Sequence, residues 1–257
     1  MTQGILQGKT VVVTGAASGI GRGIALAAQS HGAKAIVLAD LVDTPREGGE
    51  TTENLLKETG TPHLFQRADV TSADEMEALI VASEAFGGVD VMVCNAGIAL
   101  PNDTLDLRPE DLRRLLSINV EGVFYGAQAA ARQMQRMGKK GSIVIISSMG
   151  GLRGAGFTVG YSTTKGGVNM MVCSLADALG PHGIRVNAVC PGLIDTALVQ
   201  SSPDVAAAFE PLRQRMPLRR FGDVREVGDV VAWLGSDLSS FVTGVALPVD
   251  GGQTAVI

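Results

Sequence analysis

The chain has 257 residues, 46% of them hydrophobic and 18% charged, and a formal charge of −5. That is an ordinary globular composition, long enough to bury a full core and still compatible with a single α/β domain. The negative balance argues against nucleic acid or an anionic membrane surface as partner. No run approaches the ~20 apolar residues of a bilayer span, and Met1–Gly8 lacks a signal-peptide pattern, so a soluble cytoplasmic protein is expected.

Taken in chain order, the apolar, β-branched run Thr10–Thr14 predicts a strand. It is followed by a glycine-rich turn and a helix over Ile20–Ser30. Ala35–Ala39 predicts the next strand, and His63–Ala68 a weaker one. Ala73–Phe86 reads as a helix opening on a Ser72 cap and closing at Gly87. Val89–Val93 is a strand, and Pro109–Met137 a long helix broken near Asn119. Ser142–Ser147 is again a strand. Thr163–Leu179 is a helix stopped by Gly180-Pro181, and Arg185–Val189 and Ala246–Val249 complete the strands. The strands are apolar nearly throughout, as expected when both faces are buried. This alternation predicts an α/β fold, a doubly wound parallel sheet flanked by helices on both faces. Residues 1–257 are read as one domain. Gly192–Gly222 is long for a connection and is expected to be a substrate lid.

The turn after the first strand reads Thr14-Gly15-Ala16-Ala17-Ser18-Gly19-Ile20-Gly21. One glycine serves a tight turn, one a close approach to a pyrophosphate, and one the packing of helix on strand. The helix that follows offers N–H groups to phosphates. Asp40, 19 residues beyond Gly21, ends the second strand. A carboxylate there accepts hydrogen bonds from ribose hydroxyls and repels the 2′-phosphate of NADP, so NAD is the expected cofactor. Ser18 stands where an NADP enzyme would place a base, and Arg46 is the only local cation that could accommodate a phosphate. The loop Asp43–Glu50, with Pro45 and Gly48-Gly49, is unusually long and bears on how the adenosine end is covered.

Tyr161 and Lys165 lie four residues apart, on one face of a predicted helix. A phenol is too weak an acid to act as a base at neutral pH, and a neighbouring ammonium would lower its pKa. Ser148, 13 residues before Tyr161, follows a strand end and is expected to meet the same substrate oxygen. Tyr125 is read as a packing residue. Cys94, Cys173 and Cys190 lie in apolar stretches and are read as buried thiols; their odd count argues against a disulfide framework. The histidines His31, His63 and His182 are scattered, with no metal-ligand spacing. The arginines 213, 215, 219 and 220 read as a solvated loop.

These motifs in this order, with Asp69-Val70, Asn95-Ala96-Gly97, Asn119, Pro191-Gly192…Thr196 and Pro248-Val249-Asp250-Gly251-Gly252, resemble the short-chain dehydrogenase/reductase family of about 250 residues, a single-domain Rossmann-type fold. The resemblance covers nearly the whole chain. It implies an NAD-dependent enzyme that interconverts a secondary alcohol, a sugar or polyol among the candidates, and its carbonyl. Tyr161 would exchange the proton, Ser148 orient the substrate oxygen, Lys165 hold the nicotinamide ribose, and Asn119 support Lys165. Gly15, Ser18, Gly19, Ile20, Gly21 and Asp40 would bind the cofactor. Asp69 and Val70 would flank adenine. Asn95, Ala96 and Gly97 would line the groove, and Pro191, Gly192, Ile194 and Thr196 the nicotinamide end. Cys94 replaces a second Asn common in the family. A homotetramer with small-molecule partners is expected. A non-catalytic dinucleotide sensor and an epimerase or dehydratase are the weighed alternatives. The first typically lacks part of the Asn–Ser–Tyr–Lys set, and the second is usually longer.

Overall fold

The computed structural model describes residues 4–100, 104–196 and 210–256. Seven strands form one sheet in the order β3-β2-β1-β4-β5-β6-β7. They are β1 (Thr10–Thr14), β2 (Ala35–Asp40), β3 (His63–Arg67), β4 (Val91–Cys94), β5 (Gly141–Ile146), β6 (Ile184–Pro191) and β7 (Ala246–Val249). Every neighbouring pair is parallel. The order reverses at β1, which pairs with β2 on one side and β4 on the other. Crevices at such a reversal, beyond the carboxyl ends of the strands, are where open α/β sheets bind ligands.

Side-chain alternation along the strands divides the core in two. Val12, Val37, Met92 and Ile143 face a core shared with Met76, Val123 and Met134. These three come from α3 (Ala73–Ala82) and α5 (Gly122–Arg136). The adjacent positions Val11, Val13, Leu38, Val93 and Val144 face the opposite core, with Ile24, Val227 and Val231. Those belong to α1 (Gly19–Ser30) and α7 (Val224–Gly235). Each such side chain gains roughly 1.5–3 kcal/mol from full burial, so neither face of the sheet could be left to water.

α1 and α7 touch almost backbone to backbone. A Cβ on Gly228 would come within 2.6 Å of the Ala27 Cβ, and one on Gly23 within 2.7 Å of the Val224 Cβ. Besides the single turn Gln253–Val256, two helices of the described residues were not read from the sequence. α2 (Thr52–Thr59) starts at a Thr51 cap and ends at left-handed Gly60. α7 opens on a complete capping box, Asp223 with Glu226, a signal that stood in the sequence unread. α6 (Val159–Leu179) begins one turn earlier than predicted. Gly160 is by itself a poor helix former. Here it lets the helix settle on Leu107 and Leu115, each 3.0 Å from the Cβ it lacks.

α4 (Pro109–Leu116) and α5 are joined by a π-turn over Ser117–Glu121, where the break near Asn119 was expected. Cys94 and Cys190 are buried, whereas Cys173 is exposed on α6, contrary to expectation. An apolar neighbourhood in sequence does not fix which face of a helix a residue takes. Both ends of the expected lid are tied together: Ile194 bridges Gly222, with Asp195 N donating to Gly222 O at 2.8 Å. Residues 197–209, its centre, lie outside the described residues. Arg213 and Arg220 pair with Glu210 and Glu226 at the surface. Among the described residues no helix is long and apolar enough to cross a membrane, and no group of three or more His, Cys, Asp or Glu could hold a metal ion.

Candidate active site

The glycine turn leaves β1 and enters α1 with almost no spare space. A Cβ on Gly21 would lie 2.0 Å from Gly15 O, and one on Gly15 2.8 Å from Asn95 Nδ2. Gly15 and Gly19 are left-handed, at φ 66° and 53°, where a side chain is strained. Asn95 Nδ2 donates to Thr14 O and Gly15 O at 2.9 and 3.1 Å, while Thr14 Oγ1 accepts from the N–H groups of Asn95 and Ala96. Asn95 therefore braces the turn through its side chain. From α2, buried Thr52 donates to Ala16 O at 2.8 Å. Asp40 accepts from Ala17 N at 3.0 Å and from Leu41 N at 2.8 Å, which aims its carboxylate at the turn.

Across the groove, Thr196 Cγ2 lies 3.8 Å from where a Gly19 Cβ would be. The loops after β1, β4, β5 and β6 thus meet at one edge. Pro191 ends β6. Gly192 sits against Asp250, and Ile194 is buried. Asp69 accepts from Thr71 N and Oγ1, so its carboxylate serves its own turn. Val70 packs on Gly122, where a Cβ would meet it at 2.8 Å.

At the same edge Ser148, Tyr161, Lys165 and Asn119 gather. A Cβ on Gly150 would lie 3.4 Å from Ser148 Oγ and 3.5 Å from Tyr161 Cε1. Lys165 Nζ is 5.7 Å from the Tyr161 ring centre and donates to Ile146 O at 2.8 Å. A Cβ on Gly97 would fall 3.1 Å from Asn119 Oδ1 and 3.6 Å from Lys165 Nζ. Asn119 donates to Ile98 O at 2.8 Å and Thr164 Oγ1 at 3.2 Å, and accepts from Ile98 N. The widened π-turn is what directs this buried amide inward, and such turns often mark functional sites.

A family profile described as enoyl-(acyl carrier protein) reductase matches residues 15–254. The L-rhamnose 1-dehydrogenase (NAD(P)(+)) of Sphingomonas sp. is 39% identical, over 97% of each chain. The cis-4-hydroxycyclohexanecarboxylate dehydrogenase of Sinomonas cyclohexanicum is 41% identical, over 96% of this chain and 97% of that one. The crystal structure of a short-chain type dehydrogenase/reductase from Mycobacterium marinum superposes with a TM-score of 0.88 at 36% identity, covering 97% of this chain and 96% of that one. The chain belongs to the short-chain dehydrogenase/reductase family.

In this short-chain dehydrogenase/reductase the residues sequence reasoning missed are supports of the turn. Thr14 opens the glycine motif but was given no role in it, and Thr52, which carries no motif of its own, emerges only through its partner. Glu47 is the third. Its Oε1 accepts from Gly19 N at 2.9 Å and stands 3.9 Å from Arg22 Nη1. Arg22, not only Arg46, is therefore a cation beside the turn.

Burial dominates the electrostatics. It raises the Tyr161 phenol above its ordinary value, outweighing a hydrogen bond with Ser148 that lowers it. The expected depression by Lys165 is not met in the chain alone. Lys165 is itself so buried that its pKa falls to about 8. Burial also raises Cys190, which lies next to Ser147 and Lys165, and pushes Cys94 up to about 12. Above pH 8 folded Lys165 releases its proton, whereas the unfolded chain keeps it up to about 10.5. The unfolded state then binds more protons, so this residue makes stability rise with pH. Tyr161 opposes the trend only as pH nears 10. Urea midpoints without ligand should show wild type gaining on Lys165→Met between pH 8 and about 9.5, with no relative change from pH 6 to 7.5. A constant difference across both ranges would contradict a depressed Lys165.

Proposed function

We propose that the protein interconverts a secondary alcohol, of the sugar or polyol class, and its carbonyl, using NAD, with residues 1–257 acting as one dinucleotide-binding catalytic domain. The observation that carries this reading is the hydrogen bond between the Ser148 hydroxyl and the Tyr161 phenol beside buried Lys165, at the edge where the glycine turn ends. Two hydroxyls directed at one place suit a substrate oxygen better than the carbon–carbon double bond of an enoyl thioester. The two relatives named above are both dehydrogenases, one of them of a sugar, which supports the substrate class. A non-catalytic sensor is not supported.

The residues present fit a nicotinamide dinucleotide. Gly15, Ser18, Gly19, Ile20 and Gly21 would receive the phosphates, with Asp40 on the adenosine ribose. Asp69 and Val70 would flank adenine, and Asn95, Ala96 and Gly97 would floor the groove. Pro191, Gly192, Ile194 and Thr196 would hold the nicotinamide end. When bound, the nicotinamide accepts or supplies hydride. Tyr161 exchanges the proton with the substrate oxygen. Ser148 orients that oxygen, and Lys165 holds the ribose and adds positive charge beside the phenol. Asn119 fixes the backbone at Ile98 and, through Thr164, the first turn of α6. A phenol raised by burial is protonated at neutral pH, which suits it to protonate the oxygen during reduction. Oxidation draws on Lys165 and the cationic oxidised ring to stabilise the phenolate.

The same reading takes the protein as a homotetramer. Phe124 is partly exposed on α5 and lines a shallow hollow with Ala127, Ala131, Leu175 and Leu179, rimmed by Gln128, Arg132 and Gln135.

Tyr161→Phe should lower kcat by about 100- to 10,000-fold while leaving NADH binding within a few-fold of wild type; near-normal turnover would refute the role. Wild type should show higher kcat/KM with NAD than with NADP, because Asp40 faces the turn and Ser18 offers no positive charge. The reverse order would overturn the cofactor assignment. Light scattering at micromolar concentration should give four times the 26.6 kDa chain mass, and a monomer mass would reject the assembly.

A further inference from the structure

We propose that Glu47, carried by the loop between β2 and α2, is a second determinant of cofactor choice that disfavours a 2′-phosphate by adding a carboxylate to the turn and countering the charge of Arg22. This rests on the NAD reading above and extends it beyond Asp40. Ser18 is the N-cap of α1, yet its hydroxyl makes no cap bond within the helix. It instead accepts from Arg46 N at 2.8 Å, which pins the loop to the turn. The loop then supplies the missing cap: Glu47 Oε1 accepts from Gly19 N at 2.9 Å. The same oxygen lies 3.9 Å from Arg22 Nη1, a buried nitrogen that makes no hydrogen bond among the described residues.

A phosphate is recruited by free N–H groups at a helix N-terminus and by guanidinium. Glu47 engages one and counters the other. Its carboxylate and that of Asp40 both bond to the same turn, at Gly19 and Ala17. A further dianionic group brought to this turn meets two carboxylates, one of which already faces the Arg22 guanidinium, a repulsive element of the kind that sets specificity.

Fluorescence titration of the full-length protein with NADH and NADPH tests this without turnover. Glu47→Gln keeps an oxygen able to accept from Gly19 N but removes the charge. It should tighten NADPH relative to NADH by about tenfold. Arg22→Gln added to Glu47→Gln should abolish most of that gain, because the released guanidinium is its source. Glu47→Asp, which keeps the charge, should stay closer to wild type. An unchanged ratio overturns the proposal. So does equal tightening of both ligands, which would make Glu47 a general competitor of the dinucleotide. The wild-type ratio tests the NAD reading separately: preference for NADPH in the unaltered protein sinks that reading, while the shift on substitution judges Glu47.

Discussion

α1 leaves β1 at such close range that Gly21 has no room for a Cβ against Gly15 O. That contact makes the turn rigid, and the remainder of the ligand edge is assembled upon it. Asn95 reaches it from the end of β4, Thr52 from α2, Asp40 from the end of β2, and Glu47 from the loop between them. Two regions far apart in the chain, residues 40–52 and Asn95, thus bond to one stretch of backbone. A cradle held from so many sides loses little freedom when a ligand arrives, which is the physical content of preorganisation. The arrangement is available only because the strand order reverses at β1, opening a crevice between the loops after the adjacent strands β1 and β4.

The second feature of the site is competition between burial and charge. A simple reading of Tyr161 and Lys165 as neighbours predicts a phenol made more acidic by an ammonium. Burial instead favours the neutral form of both, raising the phenol and lowering the lysine. Desolvation acts on each group directly, whereas their mutual attraction acts across 5.7 Å from ammonium to ring centre. The protein alone therefore holds a proton on Tyr161, and additional positive charge beside it is what would release that proton. Cys190, buried under the same groups, keeps its thiol neutral and adds no fixed charge to the site.

Much of this was legible in the sequence. Continuous β-branched runs and glycine spacing determined the strands, the parallel sheet and the position of the turn, because those signals are local: period, cap and φ. The i to i+4 spacing placed Tyr161 and Lys165 on one helix face, and the break near Asn119 was visible as a defect in a long helical pattern. Tertiary structure decided the remainder. It set where α6 begins, since the turn before Thr163 is held by Gly160 lying close against Leu107 and Leu115. It placed Cys173 outside, since helix facing depends on what the helix packs on. It made that break a π-turn with Asn119 bonded to Ile98 and Thr164. It also brought Glu47 and Arg22 together over Gly19, a meeting of side chains across a loop whose path no local periodicity encodes.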